Sequence, residues 1–322
     1  MAKVTSSAVS VILPVLNEEN YLEAAVKAVL AQDFSGPIEV VLAVGPSNDR
    51  TMEIAENLAK TDARVKVVSN PSGRTAAGLN LAIKNSSHPI IVRVDGHANI
   101  SKNYISIAVD LLEETGAVNV GGVMAAEGHT PFEKAVAGAM RSPLGVGAAK
   151  FHTGGSAGQT DTVYLGVFKR AAVDAIGGFD EHFTRAQDWE LNFRLRKNGG
   201  KIYFDPRLTV TYRPRKSLAA LAKQYFEYGR WRRVVSRTHK GTINLRYLAP
   251  PFTLIGVLIS LIGGLLNSLL FAPAAFYGIF LILASLKIGK TLSERVFLPA
   301  ILFTMHMSWG AGFITSTRRF VR

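Results

Sequence analysis

Short, uninterrupted apolar runs alternate over the first hundred residues with stretches whose apolar positions recur at helical spacing. The runs at 9–13, 38–44, 65–69 and 90–94 read as strands buried on both faces, and 18–31, 49–60 and 75–85 read as the helices between them. That alternation predicts an α/β domain, a mostly parallel sheet covered by helices. From 118 to 212 strand-like runs and glycine clusters predict a mixed or antiparallel extension of the sheet, with a loop at 145–158. The pattern then changes. Residues 217–239 can form a basic amphipathic helix with Leu218, Leu221, Tyr225, Phe226 and Trp231 among its nonpolar positions, a type suited to a membrane interface. Residues 252–271 and 296–315 carry no charged side chain, and each run has the length that crosses a bilayer; 272–286 is shorter. The expected boundaries are an α/β domain at 1–212, a basic juxtamembrane segment at 213–247 and a membrane domain at 248–322 with two or three hydrophobic helices.

Charge sharpens this picture. The formal net charge is +13, and residues 213–246 hold ten Lys and Arg against the single acid Glu227. These cations adjoin the apolar runs, so membrane lipids are the nearer partner and nucleic acid is not expected. Their position also agrees with a cytoplasmic side for the α/β domain, whose first ten residues lack the basic region and apolar run of a secretory signal. Three full crossings would put Arg318, Arg319 and Arg322 on the opposite side, against the same tendency. The chain has no cysteine, which excludes disulfides, thiolate nucleophiles and cysteine-ligated metal centres.

Two stretches carry candidate chemistry. Val92-Arg93-Val94-Asp95-Gly96-His97 ends a buried strand, where open α/β sheets place their ligands. A carboxylate and an imidazole two residues apart can jointly hold a divalent ion, Mn²⁺ or Mg²⁺, able to neutralise a diphosphate; Asp-Gly is equally a common turn. Arg185-Ala186-Gln187-Asp188-Trp189-Glu190 opens a helix. An acid there suits the helix dipole, and it can also serve as the general base that takes a proton from an attacking hydroxyl. Asp188 is the candidate base, and Glu190 is read as structural or as an acceptor contact.

The chain resembles family 2 glycosyltransferases of the GT-A fold, within them the succinoglycan-biosynthesis-type branch with C-terminal membrane segments. The likeness rests on Val11-Ile12-Leu13-Pro14-Val15-Leu16-Asn17-Glu18-Glu19, Asn70-Pro71-Ser72-Gly73-Arg74-Thr75 and Asp95-Gly96-His97. It continues through Gly177-Gly178-Phe179-Asp180-Glu181, Gln187-Asp188, Tyr228-Gly229-Arg230-Trp231 and the late Met305–Phe313 stretch. The resemblance implies a Rossmann-like mixed sheet and an inverting transfer from a nucleotide-sugar donor to a lipid-linked or glycan acceptor. Pro14, Asn17, Glu18 and Arg74 would line the nucleotide site, and Asp95 and His97 would hold the metal. Asp188 would activate the acceptor, and Gln224, Arg230 and Trp231 would meet the diphosphate or acceptor at the membrane surface. Alternatives within reach are a polyprenyl-phosphate sugar synthase and a non-catalytic scaffold or nucleotide-sugar sensor. Two departures stand out. Val44-Gly45-Pro46-Ser47-Asn48-Asp49 replaces the aspartate that commonly follows the second strand to contact the base, leaving a uridine nucleotide as only one candidate donor. Five residues, rather than two, separate Gln224 from Arg230-Trp231, so processivity is not expected.

Overall fold

The computed structural model describes residues 7–318; Arg319, Arg322 and the first six residues lie outside the described residues. Along the chain run β1 (Val9–Val15), α1 (Leu22–Leu30), β2 (Ile38–Val44), α2 (Thr51–Thr61), β3 (Val65–Ser69), α3 (Thr75–Lys84) and β4 (Ile90–Arg93). Then come β5 (Asn99–Ile100), α4 (Tyr104–Glu114), β6 (Asn119–Ala126), α5 (Pro131–Met140), α6 (Pro143–Val146) and α7 (Lys150–Thr153). They are followed by β7 (Gly158–Gln159), β8 (Tyr164–Lys169), α8 (Arg170–Ala175), α9 (Gln187–Lys197) and β9 (Ile202–Tyr212). The chain ends in α10 (Leu218–Thr238), α11 (Leu245–Gly264), a short 3-10 turn at Ser268–Phe271, α12 (Ala272–Ile288) and α13 (Leu292–Thr315).

The first compact unit holds the sheet, in the order β3-β2-β1-β4-β8-β6-β9-β5 with β7 on β9. The strands β1 to β4 pair in parallel, and β8 runs antiparallel to both β4 and β6. Its two faces follow from the period-two alternation of a strand. Val9, Val11 and Leu13 of β1 pack with Leu22 and Val26 of α1 and with Tyr104 and Leu112 of α4. Ile12 faces the other way, with Leu79 of α3, Val173 of α8 and Leu191 and Leu195 of α9. Strands buried on both faces read as continuous apolar runs, which is why they stand out in the sequence.

The division of the chain differs from the expected block at 1–212. The first unit runs to Ala125 and resumes at Gly154–Tyr212, whereas Ala126–Thr153 groups with the helices after Arg213. Helix α5, started by a Thr130/Glu133 capping box, packs on α13, with Phe132 edge-on to Phe297 at 5.7 Å. The His306 ring lies 2.9 Å from the Leu144 carbonyl oxygen and 3.1 Å from the Tyr277 hydroxyl, joining α6, α12 and α13. The stretch expected as a loop at 145–158 contains α7 and the end of α6, separated by Gly147 at φ 70°.

Three helices of this second unit, Leu245–Gly264, Ser268–Ile288 and Leu292–Thr315, are long and apolar enough to cross a membrane. The first begins ahead of Leu248 and continues through Pro250 and Pro251. The middle one is longer than the expected 272–286 because the 3-10 turn extends it. Helix α10 is not the exposed interfacial ribbon that its charge suggests. Leu221, Tyr225, Trp231 and Arg232 are buried, and the Arg232 guanidinium lies 3.7 Å above the Tyr247 ring.

Candidate active site

The parallel register sets Val15 beside Val44 and Val44 beside Ser69, so the turns after β1, β2 and β3 gather at one edge of the sheet. That edge is where a doubly wound sheet leaves a crevice. Asn17 turns the chain in the left-handed region at φ 57°. Its side-chain oxygen accepts from the Asn48 amide at 2.9 Å, while its own amide donates to Ser47 Oγ at 3.0 Å. The Glu18 amide donates to Thr51 Oγ1 at 2.7 Å, and Asp49 accepts from the Thr51 amide at 3.0 Å. Asn17 and Glu18 are thus held against the 46–51 turn that replaces the usual aspartate, while Pro14 stands in β1 beside Ala43 of β2. Arg74 reaches across to the His182 carbonyl at 3.3 Å, and Asn70 Nδ2 donates to the Arg74 carbonyl at 3.1 Å.

Asp95 and His97 follow β4, but each has its own partner. The His97 Nδ1 lies 2.7 Å from Glu18 Oε1. Asp95 Oδ1 accepts from the Arg93 guanidinium at 3.0 Å, and a second nitrogen of the same guanidinium is hydrogen-bonded to Asp188 Oδ1. The Arg93 side chain is 4% exposed, against 20% for Asp95 and 24% for Asp188, so the cation sits at the base and the two carboxylates rim it. Sequence reasoning missed Arg93 as a site residue. The available signal was a lone cation inside Ile90–Arg93, since a buried charge has to be paired.

Asp188 stands in the first turn of α9, which Ala186 enters through a left-handed φ of 60°. Glu190, 1% exposed, turns inward to Arg194 at 2.7 Å, and Arg194 donates to the carbonyls of Ile176 and Gly178, both at 2.8 Å. Asn80 clasps the same loop, accepting from the Phe179 amide and donating to the Phe179 carbonyl, both at 2.9 Å. The Gly-Gly-Phe segment and Glu190 therefore fix where α9 starts and how Asp188 is presented.

The donor set suits a divalent cation. Among the described residues no three His, Asp or Glu side chains group as a complete cage. Asp95 offers a hard oxygen beside the one bound to Arg93. With Nδ1–H donating to the Glu18 carboxylate, His97 could present Nε2 to a cation, the arrangement that commonly stands behind a metal-bound histidine. Two protein ligands complemented by phosphate oxygens and water are what Mn²⁺ and Mg²⁺ accept in nucleotide sites.

The remaining expected residues lie on α10, in the second unit. Gln224 Nε2 donates to the Tyr228 hydroxyl at 2.9 Å. Arg230 pairs with Glu227 at 2.9 Å and lies 4.8 Å from the Phe226 ring centre. Trp231 is 5% exposed, which leaves little of it to anchor at lipid headgroups.

The profile of the family described as glycosyl transferase family 2 matches residues 10–177. The chain is 29% identical over 320 residues to the succinoglycan biosynthesis protein ExoA of Rhizobium meliloti strain 1021, covering 97% of this chain and 95% of that protein. It is 24% identical over 316 residues to a dolichyl N-acetyl-alpha-D-glucosaminyl phosphate 3-beta-D-2,3-diacetamido-2,3-dideoxy-beta-D-glucuronosyltransferase of Methanococcus voltae, with 95% of each chain covered. Among solved structures, the mannosyltransferase PcManGT of Pyrobaculum calidifontis, in complex with GDP-Man and Mn²⁺, superposes with a TM-score of 0.65 at 19% identity. The match covers 96% of this chain and 86% of that one.

Proposed function

We infer that this chain, which belongs to glycosyl transferase family 2, moves one sugar with inversion from a nucleotide-sugar donor to a lipid-linked or membrane-proximal glycan acceptor. The product would enter cell-envelope or exopolysaccharide synthesis. The observation that carries this reading is the convergence of Asp95 and Asp188 on the single guanidinium of Arg93. It puts the proposed metal-binding carboxylate and the proposed general base on one rim, which supports a displacement at a sugar carbon.

Pro14, Asn17, Glu18 and Arg74 would border the nucleotide. Asp95 and His97 would hold Mn²⁺ or Mg²⁺, which supplies positive charge to the departing diphosphate. Asp188 would accept the proton of the acceptor hydroxyl as its oxygen attacks the anomeric carbon. Arg93 would keep the Asp188 carboxylate oriented, and Glu18 would orient His97. Gln224, Arg230 and Trp231 are proposed to serve the diphosphate or acceptor from α10.

The Methanococcus relative's name gives it a dolichyl-phosphate-linked sugar as acceptor, which supports a lipid-linked acceptor here. The three apolar helices support a membrane location, and we propose a multi-pass protein with the catalytic unit on the cytoplasmic face, where the cations of 213–246 favour it. A panel of nucleotide sugars supplied to the detergent-purified protein with Mn²⁺ tests the reading. Slow donor hydrolysis with one sugar, lost in EDTA, is expected. Transfer to a bare polyprenyl phosphate would identify the lipid phosphate as acceptor instead, and no turnover with any donor would favour a scaffold.

A further inference from the structure

Helix α13 has charged groups at its start and a charged helix against its end. At the start, Glu294 accepts from the Lys290 amide at 2.8 Å and Arg295 Nε donates to the Gly289 carbonyl at 3.0 Å. Near the end, α13 lies directly on α10. A Cβ on Gly312 would strike the Phe226 carbonyl oxygen, and one on Gly229 would strike that of Trp309, so the two backbones touch. Ser316 Oγ donates to the Arg230 carbonyl at 3.2 Å, Arg237 donates to the Ser316 carbonyl at 2.9 Å, and the Arg233 guanidinium lies 5.0 Å from the Phe313 ring centre.

Residues 309–316 therefore share the depth of a helix that carries Lys223, Glu227, Arg230, Arg233 and Arg237. A helix of that composition stays out of hydrocarbon, where each ionised side chain is strongly unfavourable. Between Arg295 and Trp309 remain residues 296–308, about 20 Å of helix at ~1.5 Å per residue. The hydrocarbon core is about 30 Å thick. Protein covers 44% of the apolar window of α13, compared with 11% for Leu245–Gly264 and 17% for Ser268–Ile288. What α13 leaves open is mainly a stripe through Leu292, Val296 and Phe303 in its first half.

We infer that α13 meets the bilayer along that stripe and does not carry the chain across it. The lipid-facing surface is then α11, α12 and the first half of α13. The ends of α10 and α13 face the same compartment. Arg318 returns to the side of the 213–246 cations, which removes the charge conflict of three full crossings.

The absence of cysteine makes the test direct. Lys240→Cys and Thr317→Cys, each the sole thiol in the full-length chain, are exposed to a membrane-impermeant maleimide in sealed vesicles of known orientation. Both thiols are expected to react from the same side, with the other side reacting only after detergent. Reaction of the two from opposite sides overturns the inference. Thr238→Cys and Arg318→Cys provide a second pair, read in the same way, if either first variant fails to accumulate.

Discussion

The carboxylate of Glu18 lies 2.7 Å from Nδ1 of His97, joining the turn after β1 to the turn after β4 across 79 positions of sequence. A carboxylate so placed sets the ring's tautomer and raises the basicity of its other nitrogen. Glu18→Gln is expected to weaken Mn²⁺ binding by roughly 10-fold, within the usual range for such outer partners. Titration of free Mn²⁺ by electron paramagnetic resonance on the nucleotide-free protein reads this without any need for turnover. Unchanged affinity would detach Glu18 from the metal and leave it a nucleotide contact.

Removing the ligands themselves should separate their roles. Asp95→Ala is expected to abolish transfer, because it deletes the only charged oxygen proposed for the cation. His97→Ala should weaken transfer and shift the preference toward Mg²⁺, which values nitrogen donors less than Mn²⁺ does. Rates with each metal at matched concentration provide the comparison. Full activity in EDTA would reject a metal altogether.

Asp188→Asn keeps the size and one acceptor oxygen but cannot take the acceptor's proton. The rate is expected to fall by roughly 10²–10⁴-fold. Nucleotide affinity, measured by calorimetry, should stay near that of the parent, because the contacts proposed to border the nucleotide lie on β1 and in the segments that follow β1, β3 and β4. Parent-like turnover would reduce Asp188 to a helix-start acid. Glu190 would then be a poor substitute, since its carboxylate is committed to Arg194.

The strands were legible because burial on both faces leaves continuous apolar runs, and Val9–Val15 and Ile38–Val44 fall where those runs predict. The Asp-Gly-His and Gln-Asp stretches were legible as candidate chemistry because each sits at the end of a regular element. The convergence of Asp95 and Asp188 was not, since 93 positions separate them and only the fold brings both to Arg93. The grouping of Ala126–Thr153 with the late helices was equally hidden. Its apolar pattern looks like any amphipathic helix, and nothing local says whether a sheet or α13 covers it. Trp231 misled for a related reason, because a tryptophan among arginines looks interfacial until α13 is seen to cover α10.

Acid should loosen the sheet through one carboxylate. Burial works to raise the pKa of Glu39, but the Ser87 amide, the Ser10 hydroxyl and Lys66 outweigh it and lower it from 4.5 to about 2. Its carboxylate thereby ties β1, β2 and β3 to the segment entering β4. The folded value lies below the unfolded one. The stabilisation is therefore full above about pH 4.5 and is lost as pH falls toward 2, amounting to about 3 kcal/mol. Thermal melts of parent and Glu39→Gln should differ at pH 7, and the gap should narrow below about pH 4.5 and close only as pH falls to about 2. A gap that does not narrow between pH 5 and pH 2 would mean that Glu39 acts through packing instead.

Arg93 should matter to folding and to chemistry by different routes, and two substitutions separate them. Arg93→Met leaves Asp95 and Asp188 facing each other without their shared cation. Breaking a buried ion pair costs about 3–5 kcal/mol, and the partial exposure of both carboxylates points to the lower end. Arg93→Lys keeps the charge but lacks the planar fork, so one ammonium cannot hold both acids in the same geometry. It is expected to retain most of the stability while losing most of the transfer rate. Adding Asp188→Asn to Arg93→Met removes one of the two facing charges, so the double variant should be more stable than the sum of its parts. Chemical denaturation of the four proteins in detergent measures that coupling directly. Strict additivity would mean that Arg93 and Asp188 do not interact in solution, and the proposed alignment of the base would fail with it.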